Sequence, residues 1–447
     1  IYAYGGDFGP KGTPSDNNFL NNGLVQPDRK PNPHIYEVAH IQQEVKFYEN
    51  DLAKGVIDVK NWFFFRDLSN YKLNWEVIAN GEVVESGTID NIELSPQAKK
   101  AIKIPFTTTF KKDVEYFLNV AAILKTDEPL LKAGYKVAYE QFKLQAANVQ
   151  VPQKATDAVS YKSKGDVISV TGKEFEVTFE KKTGTLTTFD FKNKKLVESG
   201  PEVNFWRAPV DNDYGAGTQK RYKAWKDAGK SEKVTTAVKQ LSKSEVQISF
   251  TRDLFGGDAK LIETFIVDGN GAVKVTNELK ALKGKHPDFF KFGNKLVLPE
   301  AYKNITFYGK GPFEAYADRQ HAAKVGLYKQ TIAEQYFPYI RPQETGNKLE
   351  VRWVTLTKED GSGIKFLSEN PLSVSALNFR EDDLHSGDEK GQHHAGEIDS
   401  RKEVFVNIDG FQQGLGSINS WGQLPLPQYR LPFKDYSYSY WMIPVAK

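Results

Sequence analysis

Between residues 381 and 394 the chain carries three adjacent carboxylates, Glu381, Asp382 and Asp383, and three histidines, His385, His393 and His394. Imidazole and carboxylate together are the groups of a divalent-metal site or of acid–base chemistry. The spacing argues against both. The segments SGDEKGQ (386–392) and AGEID (395–399) are loop-like, and no strand or helix period brings the three imidazoles together, so a zinc site is not expected. Three carboxylates in one charged run read as a solvated loop. A different chemistry is offered by Trp421, which follows GLGSINS (414–420), a segment that reads as a flexible loop rather than a core strand. An indole in that setting presents a flat apolar face of the kind that packs on the C–H face of a sugar ring. The other six tryptophans are assigned to the core.

These residues need a scaffold, and the apolar periodicity is that of a mainly β chain. Asn32-Pro33 leads into a segment with apolar residues at Ile35, Val38 and Ala39, a helical spacing with Asn32 as N-cap and Pro33 at the first position. From residue 44 to 145 the period falls to two. The runs 56–59, 72–78, 83–87, 101–104 and 116–120 read as short strands, with Asn80-Gly81 as a hairpin turn. About seven strands in 100 residues predict an immunoglobulin-like sandwich with Trp75 buried, and the absence of cysteine excludes the disulfide-bearing antibody type. Residues 146–158 read as a linker. Beyond it, 167–170, 175–179, 186–189, 246–250 and 273–276 alternate cleanly, and one helix is expected near 218–228, where Tyr222 and Trp225 lie three apart. The remaining segment, 159–447, is too long for one simple sandwich.

Composition narrows the function classes. The 447 residues predict two to four domains at roughly 100 to 200 residues each. Lys plus Arg is 60 against 57 acidic residues, a net charge of +3, which gives no field for nucleic acid or for an anionic membrane surface. No stretch approaches the roughly 18 to 20 apolar residues of a membrane span. A soluble chain is expected, with cytoplasm and periplasm both open. With no cysteine, thiolate metal sites and cysteine nucleophiles are excluded. The 29 Phe, 21 Tyr and 7 Trp suit both β-sandwich cores and sugar platforms.

A set of motifs in fixed order then identifies a resemblance. GGDFG (5–9), TPSDNNF (13–19), NNGLV (21–25) and DRKPNPH (28–34) are followed by FWRAPVDND (205–213), YGKGPFE (308–314), YIRPQE (339–344), NIDGF (407–411) and Ser420-Trp421. Together they resemble the C-terminal portion of the long bacterial β-galactosidases of glycoside hydrolase family 2. The resemblance implies that residues 1–43 are the end of a (β/α)8 catalytic barrel. It makes 44–145 the immunoglobulin-like sandwich and 159–447 a large antiparallel super-sandwich resembling the galactose mutarotase-like fold.

The implied activity of the parent is retaining hydrolysis of terminal non-reducing β-D-galactose residues. Both catalytic glutamates would lie outside this chain, which by itself is expected to be inactive. Phe19 and Asn22 match positions that give a backbone carbonyl and an amide oxygen to a sodium ion, a partial site here, and the magnesium ligands would lie outside. Trp421 matches a tryptophan that stacks on the substrate beyond the cleaved bond. Residues 311–319 match a loop that shifts over the active site, with Gly311 as its hinge. The implied partners are a galactoside, the missing domains or a sister chain, and further copies in a homo-oligomer. Weakly held residues 1–23 are also expected, for want of neighbouring strands. The reading from a different class is a non-catalytic carbohydrate-binding or adhesion module.

Overall fold

The computed structural model describes residues 3–230, 233–419 and 421–446, and among these the chain is mainly β. It divides into two compact units. One comprises Pro33–Gln150 with His321–Leu327, and the other Ile1–Asn32, Val151–Gln320 and Tyr328–Lys447.

In the smaller unit, the strands Val45–Asp51, Val56–Asn61 and Lys99–Lys103 form one sheet. Glu82–Ile89, Tyr71–Ala79, Tyr116–Leu124 and Lys136–Gln145 form the other, in that order. The period-two pattern fixes which face is buried: Leu73, Trp75 and Val77 point inward with Leu118 and Val120 from the paired strand. Asn80 and Gly81 both take positive φ, 47° and 95°, as a two-residue hairpin turn requires. Gly87 lies opposite Trp75, and a Cβ there would meet the indole at 2.5 Å, so the ring is buried because its cross-strand neighbour has no side chain.

The helix runs His34–Ile41, with Pro33 rather than Asn32 in the capping position. The Asn32 side chain is used elsewhere. It donates to the Gly23 carbonyl (2.7 Å) and accepts from Gln26 Nε2 (3.2 Å), closing the preceding loop instead of capping the helix. Glu37, buried on this helix, takes up the distant segment 321–327. Its carboxylate accepts the amides of His321 (3.0 Å) and Ala322 (2.9 Å), while Gln141 exchanges two hydrogen bonds with the Val325 backbone.

The larger unit contains two sheets over one core. Ser160–Lys164, Val167–Thr171, Phe175–Glu180, Thr185–Phe191 and Lys194–Val197 form a five-stranded antiparallel meander. Opposite it, nine strands follow in the order Ser199–Asn204, Lys291–Leu298, Val404–Gln412, Gly363–Leu377, Tyr436–Val445, Val273–Ala281, Ala259–Asp268, Glu245–Leu254 and Val234–Ser242. Tyr302–Gly311 and Lys348–Lys358 extend the sheet from Gly363–Leu377. Phe179 of the smaller sheet packs on Phe250 and Phe265 of the larger, at ring-centroid distances of 6.1 and 5.0 Å. The expected helix near 218–228 is divided into Asp211–Ala216, Thr218–Arg221 and Lys223–Lys226. Gly217, in the left-handed conformation at φ 67°, ends the first piece, and Trp225 is drawn fully into the core.

A charge lies inside this unit. Lys291, 1% exposed, pairs with Glu381 (2.9 Å) and Asp409 (3.5 Å), and Asn204 donates to Glu381 (2.7 Å). Burial pushes the Asp409 carboxyl up to about 7 against the pull of Lys291. In the run 381–383, Asp382 is exposed as expected, while Glu381 and Asp383 are half-buried. Asp382 pairs with Lys226 (2.8 Å), and Asp383 holds Arg401 through two contacts of 2.6 Å. Arg207 and Asp213 form a second buried pair, with the guanidinium 4.4 Å from the Phe290 ring centroid.

In the N-terminal segment, residues 6–16 are exposed, and Tyr4 and Asn18 are its buried points; residues 1 and 2 lie outside the described residues. Polar contacts hold the segment at Tyr4 and Asp7. Tyr4, 5% exposed, donates through its hydroxyl to the His393 carbonyl (3.0 Å) and accepts the His393 amide (2.8 Å). Gln392 reaches Gly5 O and Asp7, and the His394 ring lies between Asp7 (2.8 Å) and Glu397 (2.8 Å) with Tyr4 against its face. Burial alone would lower the His394 pKa, yet Asp7 and Glu397 together hold it above the usual value.

Replacing Lys291 with Met leaves Glu381 and Asp409 facing each other without their cation. It should destabilise the chain by about 3–5 kcal/mol, measured by denaturant unfolding. For His394, a raised folded pKa means that its contribution is fully present below about pH 6.5 and is lost as pH rises through the folded value. Amide exchange at residues 4–9, corrected for intrinsic rates, should therefore accelerate between pH 6 and pH 9, and His394→Gln should remove that pH dependence.

Candidate functional site

Four separate stretches of the larger unit carry the candidate residues, and two of them meet at Trp421. The first is the loop that leaves the strand Val404–Gln412. Gln413 is fully buried and its amide donates to Phe290 O (2.8 Å), after which Gly414 donates to Tyr429 O (2.9 Å). From there the loop rises out of the fold. Asn419 accepts the Trp421 amide (2.9 Å), and the indole stands 78% exposed; Trp75, Trp206 and Trp225 are buried as expected, but Trp353 and Trp441 are half-buried and Trp62, at 47%, is not a core ring. Ser420 lies outside the described residues.

The second stretch is the short 3-10 turn Asn17–Asn21. It sets the Phe19 ring 6.2 Å from Trp421, at an interplanar angle of 60°. Two exposed aromatic rings from distant parts of the chain thus lie side by side. The turn is held from beneath: Asn18, buried, donates to Asp211 (2.8 Å) at the start of the helix Asp211–Ala216, and Lys390 pairs with the same Asp211 (2.9 Å). Gly5 passes so close that a Cβ would meet Ser15 at 2.5 Å and Leu20 at 2.8 Å. The Phe19 carbonyl accepts the Asn22 amide (3.3 Å), and Asn22 is exposed. The Phe19 carbonyl keeps a second lone pair and the Asn22 side chain carries an amide oxygen, both hard oxygen donors.

The third stretch is 311–319. Here Gly311 is close-packed rather than an open hinge, because a Cβ would lie 2.9 Å from both Phe307 and Tyr328. The segment is anchored at Glu314, a buried carboxylate that accepts from Thr345 Oγ1 (3.0 Å), the Gly346 amide (2.7 Å), the Tyr339 hydroxyl and Arg319. Burial would raise the Glu314 pKa, but Arg319 and these donors hold it below the usual carboxylate range. At its end, Asp318 accepts the amides of Leu415 (3.1 Å) and Gly416 (2.5 Å).

The histidine segment is the fourth. His385 and His393 line one cleft of about 780 Å³ with Asp382, Asp383 and Glu397, so tertiary structure gathers what the loop spacing left apart. No group of three or more His, Asp or Glu able to hold a metal occurs among the described residues. His385 bonds to Asp382 (3.1 Å) and His394 to Asp7 and Glu397, so these rings tie loops together. Sequence reasoning missed Asp7, Asp211, Glu314 and Asp318. Asp7, Asp211 and Glu314 lie inside the GGDFG, FWRAPVDND and YGKGPFE motifs, and Asp318 inside the segment 311–319, but most of their partners are distant in sequence, so the motifs gave no sign of what each one holds.

Among the described residues no helix is long and apolar enough to cross a membrane. Residues 171–442 match the model of the beta galactosidase small chain, 57–145 that of beta-galactosidase domain 4, and 1–47 that of the glycosyl hydrolases family 2 TIM barrel domain. The chain is 33% identical to a beta-galactosidase of Priestia megaterium, over 96% of this chain and 41% of that one. It is 30% identical to a beta-galactosidase of Halalkalibacterium halodurans, over 94% and 41%. It therefore spans about two fifths of the length of these curated relatives. The solved galactose 1-epimerase of Lactobacillus acidophilus aligns with 65% of this chain and 99% of its own, at 10% identity and a TM-score of 0.32, too remote to build on. With the small-chain model matching more than half of its residues, the chain belongs to the beta galactosidase small chain family of glycoside hydrolase family 2.

Proposed function

We propose that this chain is the C-terminal part of a retaining β-galactosidase and that its share in hydrolysing terminal non-reducing β-D-galactose residues is to shape and line the site. The observation that carries this is the exposed Trp421 indole beside Phe19, on a surface assembled from separate loops. Such a ring is a platform for the part of a galactoside beyond the cleaved bond. Retaining chemistry needs an acid/base carboxyl and a nucleophilic carboxylate about 5 to 5.5 Å apart. We assign neither to this chain. The acidic residues that hold these loops are engaged structurally: Asp211 with Asn18 and Lys390, Asp318 with two amides, and Glu314 with Arg319 and Tyr339. Phe19 and Asn22 contribute the carbonyl and amide oxygen of a sodium site whose remaining ligands, like those for magnesium, come from the rest of the enzyme. The galactoside, the other domains or a sister chain, and further copies in an oligomer are the partners this reading requires.

Two measurements test it. The purified 447-residue chain should show no turnover of a chromogenic aryl β-galactoside; activity that a single Asp or Glu substitution in it abolishes overturns the assignment. In the complete enzyme, Trp421→Ala should raise KM several-fold and weaken acceptor binding. The Tm should be almost unchanged, because an exposed ring contributes little of the roughly 3–5 kcal/mol that truncating a core aromatic costs. A fall of many degrees in Tm with KM unaltered shows a core ring and ends the sugar-contact reading.

A further inference from the structure

The loop that presents Trp421 has a Gly-x-Gly stem, and that stem is clamped by one carboxylate. Asp318 accepts the Leu415 amide through Oδ1 (3.1 Å) and the Gly416 amide through Oδ2 (2.5 Å). Two successive backbone N–H groups on one carboxylate make a charge-assisted clasp, stronger than neutral hydrogen bonds. The glycines are what let the carboxylate in. A Cβ on Gly414 would lie 2.7 Å from the Asp318 carboxylate carbon and Oδ2, and one on Gly416 would lie 2.9 Å from Oδ2. Any other residue at either position would push the clasp open. The neighbouring cation does not compete for the carboxylate, because Arg319 is bonded to the buried Glu314. From the other side Asn212 Nδ2 donates to Leu415 O (3.4 Å).

We infer that Asp318 is a positioning residue for the aromatic sugar platform. By holding Leu415 and Gly416 it fixes the base from which the loop reaches Trp421, and so ties the placement of the indole to the segment 311–319. The inference rests on the reading of Trp421 as a sugar contact. A platform held in place before binding loses less freedom when the sugar arrives, which is where a side chain that never touches substrate influences affinity. It also makes the two loops one mechanical unit. A movement of 311–319 carries the clasp, and with it the ring.

Asp318→Ala tests this, with Asp318→Asn as the variant that keeps one acceptor. In the 447-residue chain, amide exchange at Leu415 and Gly416 should accelerate by about tenfold or more in Asp318→Ala, the loss expected for charge-assisted hydrogen bonds, and by less in Asp318→Asn. In the complete enzyme, Asp318→Ala should raise KM towards the Trp421→Ala value with little change in kcat, and the double variant should show no further rise. Unchanged exchange overturns the clasp. KM effects that multiply in the double variant overturn action through Trp421. If Trp421→Ala itself leaves KM untouched, the sugar-contact reading fails and takes the positioning role with it, whereas faster exchange in Asp318→Ala would still establish the clasp.

Discussion

Lys291 is an ammonium group enclosed in the sheet of the larger unit, and removing such an ion from water costs several kcal/mol unless anions and hydrogen bonds surround it. Its neighbours are arranged to meet that requirement. Asp409 comes from the adjacent strand and Glu381 from a 3-10 turn beyond the sheet, while Asn204 on the other neighbouring strand fixes Glu381. Gly293 leaves the space that Asp409 occupies; a Cβ there would fall 1.7 Å from its carboxylate oxygen. Strand register, turn and glycine are therefore set by one charge. Because the turn is pinned, Asp382 and Asp383 meet Lys226 and Arg401, and because the Asp409 strand is pinned, its continuation delivers Gln413 to Gly416 to a fixed place.

Above that core the proposed site is built by polar tethers more than by apolar packing. Asn18 on Asp211, Tyr4 on His393, Asp318 on two amides and Glu314 on four donors each tie a loop to the scaffold. This suits a surface that must present aromatic faces outward. Apolar packing would draw Phe19 and Trp421 inward, and hydrogen bonds fix the backbone while leaving the rings free to meet a ligand. The same logic gives the acidic residues of these loops their role, since Asp211, Glu314 and Asp318 each hold backbone or side-chain donors of other segments.

The smaller unit shows the same principle at long range. Seven strands close its core, yet Glu37 and Gln141 capture a segment 284 and 184 residues further along the chain. The buried Glu37 carboxylate supplies acceptors that the backbone amides of His321 and Ala322 would otherwise lack. A contact of this kind makes the unit discontinuous in sequence.

The sequence alone determined the strand pattern, because period-two alternation is a local consequence of burying one face of a pleated chain, and Leu73, Trp75 and Val77 carry it visibly. It determined the hairpin at Asn80-Gly81, where the residue types themselves permit positive φ. The ordered motifs carried the family, and Trp421 was legible as a loop residue from the glycines before it. What tertiary structure decided was partnership. Asn32 reads as a cap until the Gly23 and Gln26 contacts claim its side chain. Glu381 and Asp383 read as solvated until Lys291 and Arg401 reach them, and Tyr4 and Asp7 read as unsupported until His393 and His394 receive them. Side-chain pairs hundreds of residues apart leave no period in a sequence; they exist only where the folded backbone brings the two groups within reach.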